Sequence, residues 1–249
     1  MKRVFLLLLL LVFIYPVTNA QLWKLRRYEV YGGIGTAQVF GDIGGYSIGE
    51  NALGLKDLMI KQTRFNLKTG MRYRVQEKFA LTFDLGYGLM STSDNTGSNE
   101  SRGYESSISL FETIFKAEYY FLKNNAESSY RFIKGERMFN SVLARLDGYV
   151  YTGLGPAFYS AKPNEALEER DIKNSGVALA IPVGVGFNYL FRPNSMIGLD
   201  FGMRYTTSDY IDGYTSQYSS RNDVYYFMTF VFTQKLKISE KGLPSFRKY

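Results

Sequence analysis

Apolar and polar side chains alternate without a break through residues 63–89, in two runs separated by a three-residue turn. From Thr63 to Val75 the odd positions are Thr63, Phe65, Leu67, Thr69, Met71, Tyr73 and Val75, and the even ones are Arg64, Asn66, Lys68, Gly70, Arg72 and Arg74. After Gln76-Glu77-Lys78, Phe79, Leu81, Phe83, Leu85, Tyr87 and Leu89 alternate with Ala80, Thr82, Asp84, Gly86 and Gly88. Successive side chains of a strand point to opposite faces, so each run has one apolar and one polar face, and the tight turn makes the pair a β-hairpin. Each run also matches the roughly 9–11 residues of a tilted membrane-spanning strand.

The same pattern predicts eight strands: about Tyr28–Phe40, the two of the hairpin, Ser107–Phe121, Ala144–Ser160, Val177–Phe191, Ile197–Thr207 and Asp223–Leu236, the last with the weakest alternation. Gln76–Lys78 and Arg192–Ser195 are short connections, whereas Gly41–Gln62, Thr92–Ser106, Ala161–Gly176 and Ser208–Asn222 are long and polar. Alternating short and long connections are those of an up-and-down outer-membrane barrel, whose short turns face the periplasm. Leu122–Leu143 departs from that rule, being a long connection on the short-turn side. The expected fold is therefore all-β, an eight-stranded antiparallel up-and-down transmembrane β-barrel.

A soluble barrel with its apolar face inside has the same period, so alternation alone leaves the direction open. Two features favour the membrane. The polar face is rich in small residues (Gly70, Ala80, Gly86, Gly88, Gly184, Gly186, Gly198 and Gly202), which suits the narrow interior of eight strands. Aromatics also mark both ends of the apolar face, with Tyr73, Phe79, Tyr119, Phe121, Tyr189 and Phe191 near the short turns and Tyr87, Phe158, Tyr205 and Tyr226 toward the loops. Such belts belong to membrane interfaces.

Lys2 and Arg3 ahead of the apolar run Val4–Tyr15, followed by Thr18-Asn19-Ala20, read as a signal peptide over 1–20. The domain expected for 21–249 is the barrel, with strands over about 28–236 and a periplasmic C-terminal tail at 238–249. The chain contains neither cysteine nor histidine, so disulfides, thiolate or imidazole metal sites and Ser-His or Cys-His catalysis are closed to it. Its net charge of +7 is interleaved with apolar residues instead of clustered, which argues against nucleic acid as a partner.

The charges on the inward face, Glu29, Arg64, Lys68, Arg72, Asp84, Glu112, Lys116, Glu118, Asp147, Asp200 and Arg204, could line an ion path. Eight strands leave just enough interior for side chains to fill, and buried opposite charges pair, so the expectation is a structural network in the lumen. Asp94 with Glu100, and Asp209 with Asp212, offer oxygen ligands to a divalent cation but lack a calcium-loop spacing. No cofactor is expected. Pro156 and Pro182 fall inside strands and would face each other across a hairpin centred near Glu169, which predicts a bulge or a weakened ladder there. On the periplasmic side, Arg131, Phe132, Lys134, Arg137 and Phe139 in the long connection, with Lys235 and Lys237 near the C-terminus, combine charge and apolar anchors suited to docking a protein.

The segments YEVYGGIGTAQVFGDIGG at 28–45, SLFETIFKAEYYF at 109–121, IPVGVGFNYLF at 181–191 and GLDFGMRYTTSDYIDGYTS at 198–216 resemble the small outer-membrane β-barrels of Bacteroidota, in particular the PorG-like barrels of the type IX secretion system. The resemblance implies residence in the cell outer membrane, contact with membrane lipid, periplasmic protein partners of the secretion machinery and no catalytic activity. A small-solute transport or ligand-sensing barrel, and a lipid-modifying membrane enzyme, are the alternatives.

Overall fold

The computed structural model describes residues 26–43, 62–94, 100–124, 143–168, 172–216, 222–239 and 243–245. The leader expected over 1–20 lies outside them. Eight strands follow in chain order: β1 (Tyr28–Phe40), β2 (Arg64–Gln76), β3 (Phe79–Ser93), β4 (Glu105–Leu122), β5 (Leu146–Pro163), β6 (Ser175–Arg192), β7 (Ser195–Thr206) and β8 (Val224–Ile238). Each pairs antiparallel with the next, and β8 pairs with β1 from Tyr28↔Leu236 to Phe40↔Val224, which closes the sheet. A two-residue β9 (Pro244–Ser245) folds back on the end of β8.

The register fixes the size of the barrel. Starting at Tyr28, the cross-strand partners run Tyr73, Leu81, Ala117, Thr152, Val183, Met203, Tyr226 and back to β1 at Gln38. The circuit returns ten residues further along β1, a shear of ten. With strands about 4.8 Å apart and about 3.3 Å of rise per residue, that shear tilts them by roughly 40°.

Outward positions form an apolar belt: Phe65, Leu67, Phe83, Phe115, Leu154, Val183, Phe201 and Phe230 are all exposed, while Lys68, Arg72, Asp84, Glu118 and Asp200 are buried inside. A closed sheet with charge within and an unbroken greasy exterior is the inverse of a soluble barrel; it belongs in a bilayer, and the protein is an outer-membrane barrel. β4, β5 and β6 are longer than a membrane requires. Their excess lies at the loop end, where outward residues turn polar (Glu105, Ser107, Ser109, Ser160, Lys162 and Ser175), so the wall stands clear of the membrane on the extracellular side.

The prolines meet the sequence expectation in part: the ladders are weakened at both, but without a bulge and without the two facing each other. Pro156 pairs with Leu179 and Pro182 with Arg204, so they do not face each other. No bulge accompanies them, because the β4–β5 and β5–β6 registers are unchanged on either side. Each instead coincides with a two-residue break in one ladder: pairing between β4 and β5 skips from Glu112↔Ala157 to Phe115↔Leu154, and that between β5 and β6 skips from Thr152↔Val183 to Gly155↔Ala180. A proline cannot donate to the ladder, so it interrupts pairing without shifting it. The register shifts that do occur lie at the periplasmic ends, at Arg74/Gln76, Tyr120/Leu122 and Leu190/Arg192.

Candidate functional site

The lumen is filled in two halves. The periplasmic half holds two layers of ion pairs. Arg72 donates to Glu118 (Nε to Oε2, 2.6 Å) and to Glu29 (Nη1 to Oε2, 2.8 Å), joining β2 to both β4 and β1. Arg74 bonds Glu29 (2.9 Å) and reaches within 3.5 Å of Asp147. One layer up, Lys116 sits 2.6 Å from Asp84, and Lys68 lies between Asp84 (3.5 Å) and Asp200 (3.0 Å). Tyr151 and Tyr149 both donate to Asp200, and Tyr120 and Thr82 to Glu118. Unpaired buried ions are costly, and here the carboxylates face cations or hydroxyl donors from several strands at once.

Small residues make room for this set. A Cβ at Gly186 would stand 2.2 Å from the Tyr149 ring, and one at Gly184 would stand 2.4 Å from that of Tyr151. The β5 tyrosines therefore lie flat over β6 glycines, and their rings face the cations: Lys116 is 4.4 Å from the Tyr151 centroid and Arg72 is 5.2 Å from that of Tyr149.

Above Ile114 the filling changes. Ala37, Val39, Met90, Ile108, Leu110, Ile114, Ala157, Tyr159, Ala178, Ala180, Tyr225 and Phe227 form one buried apolar cluster, topped by Ile211 from the β7–β8 loop with Tyr210 against it. At the boundary Arg204 bonds Glu112 (3.1 Å), Tyr225 donates to Glu112 (2.7 Å), and the guanidinium rests 4.4 Å over Phe227.

Among the sequence candidates, Glu29, Lys68, Arg72, Asp84, Glu112, Lys116, Glu118, Asp147, Asp200 and Arg204 are brought together in the lumen. Arg64 is not. It is the first residue of β2, at the extracellular rim, and its side chain is exposed, with Nη1 on the Thr63 carbonyl. Lys235 is also misplaced as a docking residue: it is 3% exposed, facing the lumen beside Glu29, because inward parity continues to the last turn of β8. Lys237 is exposed and pairs with Ser245. Arg131, Phe132, Lys134, Arg137 and Phe139 lie outside the described residues.

Several functional side chains escaped the sequence reading. Arg74 is one, and its strict alternation with Arg72 was the available signal. Lys123 and Asn124 are others: Asp147 accepts the Lys123 ammonium (3.1 Å) and the Asn124 amide (2.8 Å), pinning the start of the long periplasmic connection to the lumen floor. The suggested cation ligands are engaged elsewhere. Asp94 is paired with Arg102 (3.0 Å), and both Asp212 oxygens accept backbone amides. No group of three or more acidic ligands able to hold a metal occurs among the described residues.

A family model described as Domain of unknown function (DUF6089) matches residues 2–234. No curated protein matches the chain significantly in sequence. Among solved structures, Neisserial surface protein A is similar at 11% identity, covering 84% of this chain and 96% of its own, with a TM-score of 0.44. Ail, the attachment invasion locus protein of Yersinia pestis, is similar at 13% identity, 84% and 96% coverage and a TM-score of 0.40. A major outer membrane protein from Thermus thermophilus has 13% identity, 83% and 99% coverage and a TM-score of 0.41.

Proposed function

Since this chain belongs to the family described as Domain of unknown function (DUF6089), we propose a function from the construction of its barrel: a closed, non-catalytic outer-membrane scaffold that docks periplasmic partners of a protein secretion machinery, of the PorG-like type IX kind. The observation that carries the reading is the filled lumen. Ion pairs occupy its lower half and apolar side chains its upper half, so the barrel serves as a membrane anchor better than as a conduit. The anchoring of Lys123 and Asn124 by Asp147 supports the choice of face, because it gives the long periplasmic connection a fixed origin. The sequence segments that resemble PorG-like barrels supply the secretion machinery as the partner class.

The test is deletion of the gene in its native host and comparison of the secreted proteome with the parent's. Loss of exported cargo, restored by the wild-type gene but not by a copy shortened between Asn124 and Asn140, is the expected result. Heat-modifiable migration of the shortened protein would establish that its barrel has still formed. Unchanged secretion, or a reconstituted barrel that conducts ions, would replace this reading with an uptake or channel function.

A further inference from the structure

The extracellular end of the lumen is covered by a loop held through two carboxyl groups that have no cation at ion-pair distance among the described residues. Asp212 and Asp223 are 0% and 2% exposed. The Asp212 Oδ2 accepts the amides of Asp42 (2.9 Å) and Ile43 (3.2 Å), and its Oδ1 accepts that of Tyr214 (3.0 Å). Asp223, just ahead of β8, accepts the Ile211 amide (2.7 Å) and, at longer range, that of Asp212 (3.4 Å). These bonds tie the end of β1 to the β7–β8 loop and seat Ile211 in the top of the apolar cluster.

The two carboxyls converge on Gly41. A Cβ there would stand 2.4 Å from the Asp212 Oδ2 and 2.6 Å from the Asp223 Oδ1, so the oxygens are no further apart than those distances combined. The groups packed around them do not neutralise them. From the end of β1 comes Asp42, whose carboxylate accepts the Ser216 amide, and the loop itself adds Asp209. Arg102, from the 3₁₀ turn Glu100–Arg102, is bonded to Asp94 and donates to the Asp42 carbonyl. Lys173, between β5 and β6, donates its backbone amide to Gly213 and places its ammonium 5.8 Å from the Tyr210 ring. Among the described residues no cation is within ion-pair distance of Asp212 or Asp223.

We propose that the β7–β8 loop is a proton-held lid: with at least one of Asp212 and Asp223 protonated it is latched, and with both ionised their repulsion releases Ile211 and uncovers the apolar upper lumen. Burial raises both carboxyls above the ordinary range, Asp223 further through the charge of Asp212 and Asp212 through that of Asp42. A group whose pKa is raised in the folded state stabilises that state below its unfolded pKa and loses the contribution as pH climbs through the folded value. The latch is therefore closed in acid and gives way only as pH climbs through the second of the two ionisations, well above the ordinary carboxylate range.

The chain's lack of cysteine makes thiol labelling a direct test. Ile211→Cys in the full-length protein, reconstituted in liposomes, would be labelled with a membrane-impermeant maleimide between pH 6 and pH 10, with the exposed Ser107→Cys correcting for the reagent's own pH dependence. The corrected rate is expected to rise at least tenfold with pH, and to stay low and flat when Asp223→Asn is added. Asp212→Asn, whose amide nitrogen cannot accept the backbone amides that one of the Asp212 oxygens holds, should instead raise the rate at every pH, and heat-modifiable migration will verify folding of every variant. A flat corrected rate in the parent background, a rise with pH that survives Asp223→Asn, or re-closure at pH 10 by added calcium would each overturn the proton-held lid.

Discussion

The two halves of the lumen occupy the same eight strands and obey the same alternation, yet they are filled by opposite chemistry. Below Ile114 the inward positions carry charges that meet across the barrel, as Lys68 of β2 meets Asp200 of β7. Above it they carry Leu110, Ile108, Met90 and Phe227. A buried ion pair gains little over apolar packing of equal volume, but losing one partner strands the other in a dry interior. The apolar half works the other way, gaining from each buried methylene and losing in proportion to the cavity left behind. The lower half therefore penalises wrong pairings heavily, and the upper half supplies net burial energy. In a shear-ten barrel, where a one-residue slip turns every inward side chain out to lipid, a charged floor is a strong guard of register.

The largest effect is expected from Arg72→Met, because Arg72 serves both Glu29 and Glu118. Its loss leaves Glu118 with only hydroxyl donors and should lower the unfolding free energy by about 4 kcal/mol in urea titrations followed by heat-modifiable migration. A loss below about 1 kcal/mol would mean that water reaches these carboxylates and that the lower half is not dry. Leu110→Ala, at a position with no solvent exposure in the upper half, should cost about 3 kcal/mol in the same assay. It should do so without salt dependence, since no charge is involved. If Leu110→Ala costs more than Arg72→Met, the division of labour is reversed.

How much of this was legible in sequence depends on what filled the inward face. At Arg72, Asp84, Glu118 and Asp200 the inward side chain is charged and the outward one apolar, so parity alone assigned the lumen. At Tyr225 and Phe227 both faces of the strand are apolar, which is why β8 alternated weakly, while at Ile108 the alternation is inverted, with Ser107 and Ser109 outside; the upper cluster was hidden for both reasons. Parity also cannot say how a side chain near a strand end orients, so it put Arg64 in the lumen, although its side chain is exposed, and left Lys235 out of it, although that residue is buried. Asp212 and Asp223 lie in one loop, and no local spacing marks the loop conformation that folds the two carboxyls together against Gly41. The prolines marked the right strands but the wrong geometry. The amides of Thr113 and Gly153, which lie opposite Pro156 and Pro182 across the two breaks, are accordingly expected to exchange faster than those of the unbroken β1–β8 seam. Equal protection would mean that the breaks close in the bilayer.

The boundary between the halves offers the smallest effect and the sharpest comparison. Glu112 is the highest charge in the lumen, held by Arg204 and by the Tyr225 hydroxyl, and Arg204 already rests on Phe227 of the apolar cluster. Replacing the whole unit (Glu112→Leu, Arg204→Met and Tyr225→Phe) removes every donor together with its acceptor and extends the apolar half downward by one layer. One further hydrogen bond goes with them, from Arg204 to the Gly202 carbonyl, and that carbonyl retains its cross-strand partner. The triple variant should therefore fall within about 1 kcal/mol of the parent, whereas Glu112→Leu alone, leaving Arg204 stranded, should cost about 3–5 kcal/mol. Such non-additivity is the signature of a unit whose value lies in completeness. A triple variant as unstable as the single one would show instead that the charge itself is needed at this level, and the boundary would then belong to the ionic half.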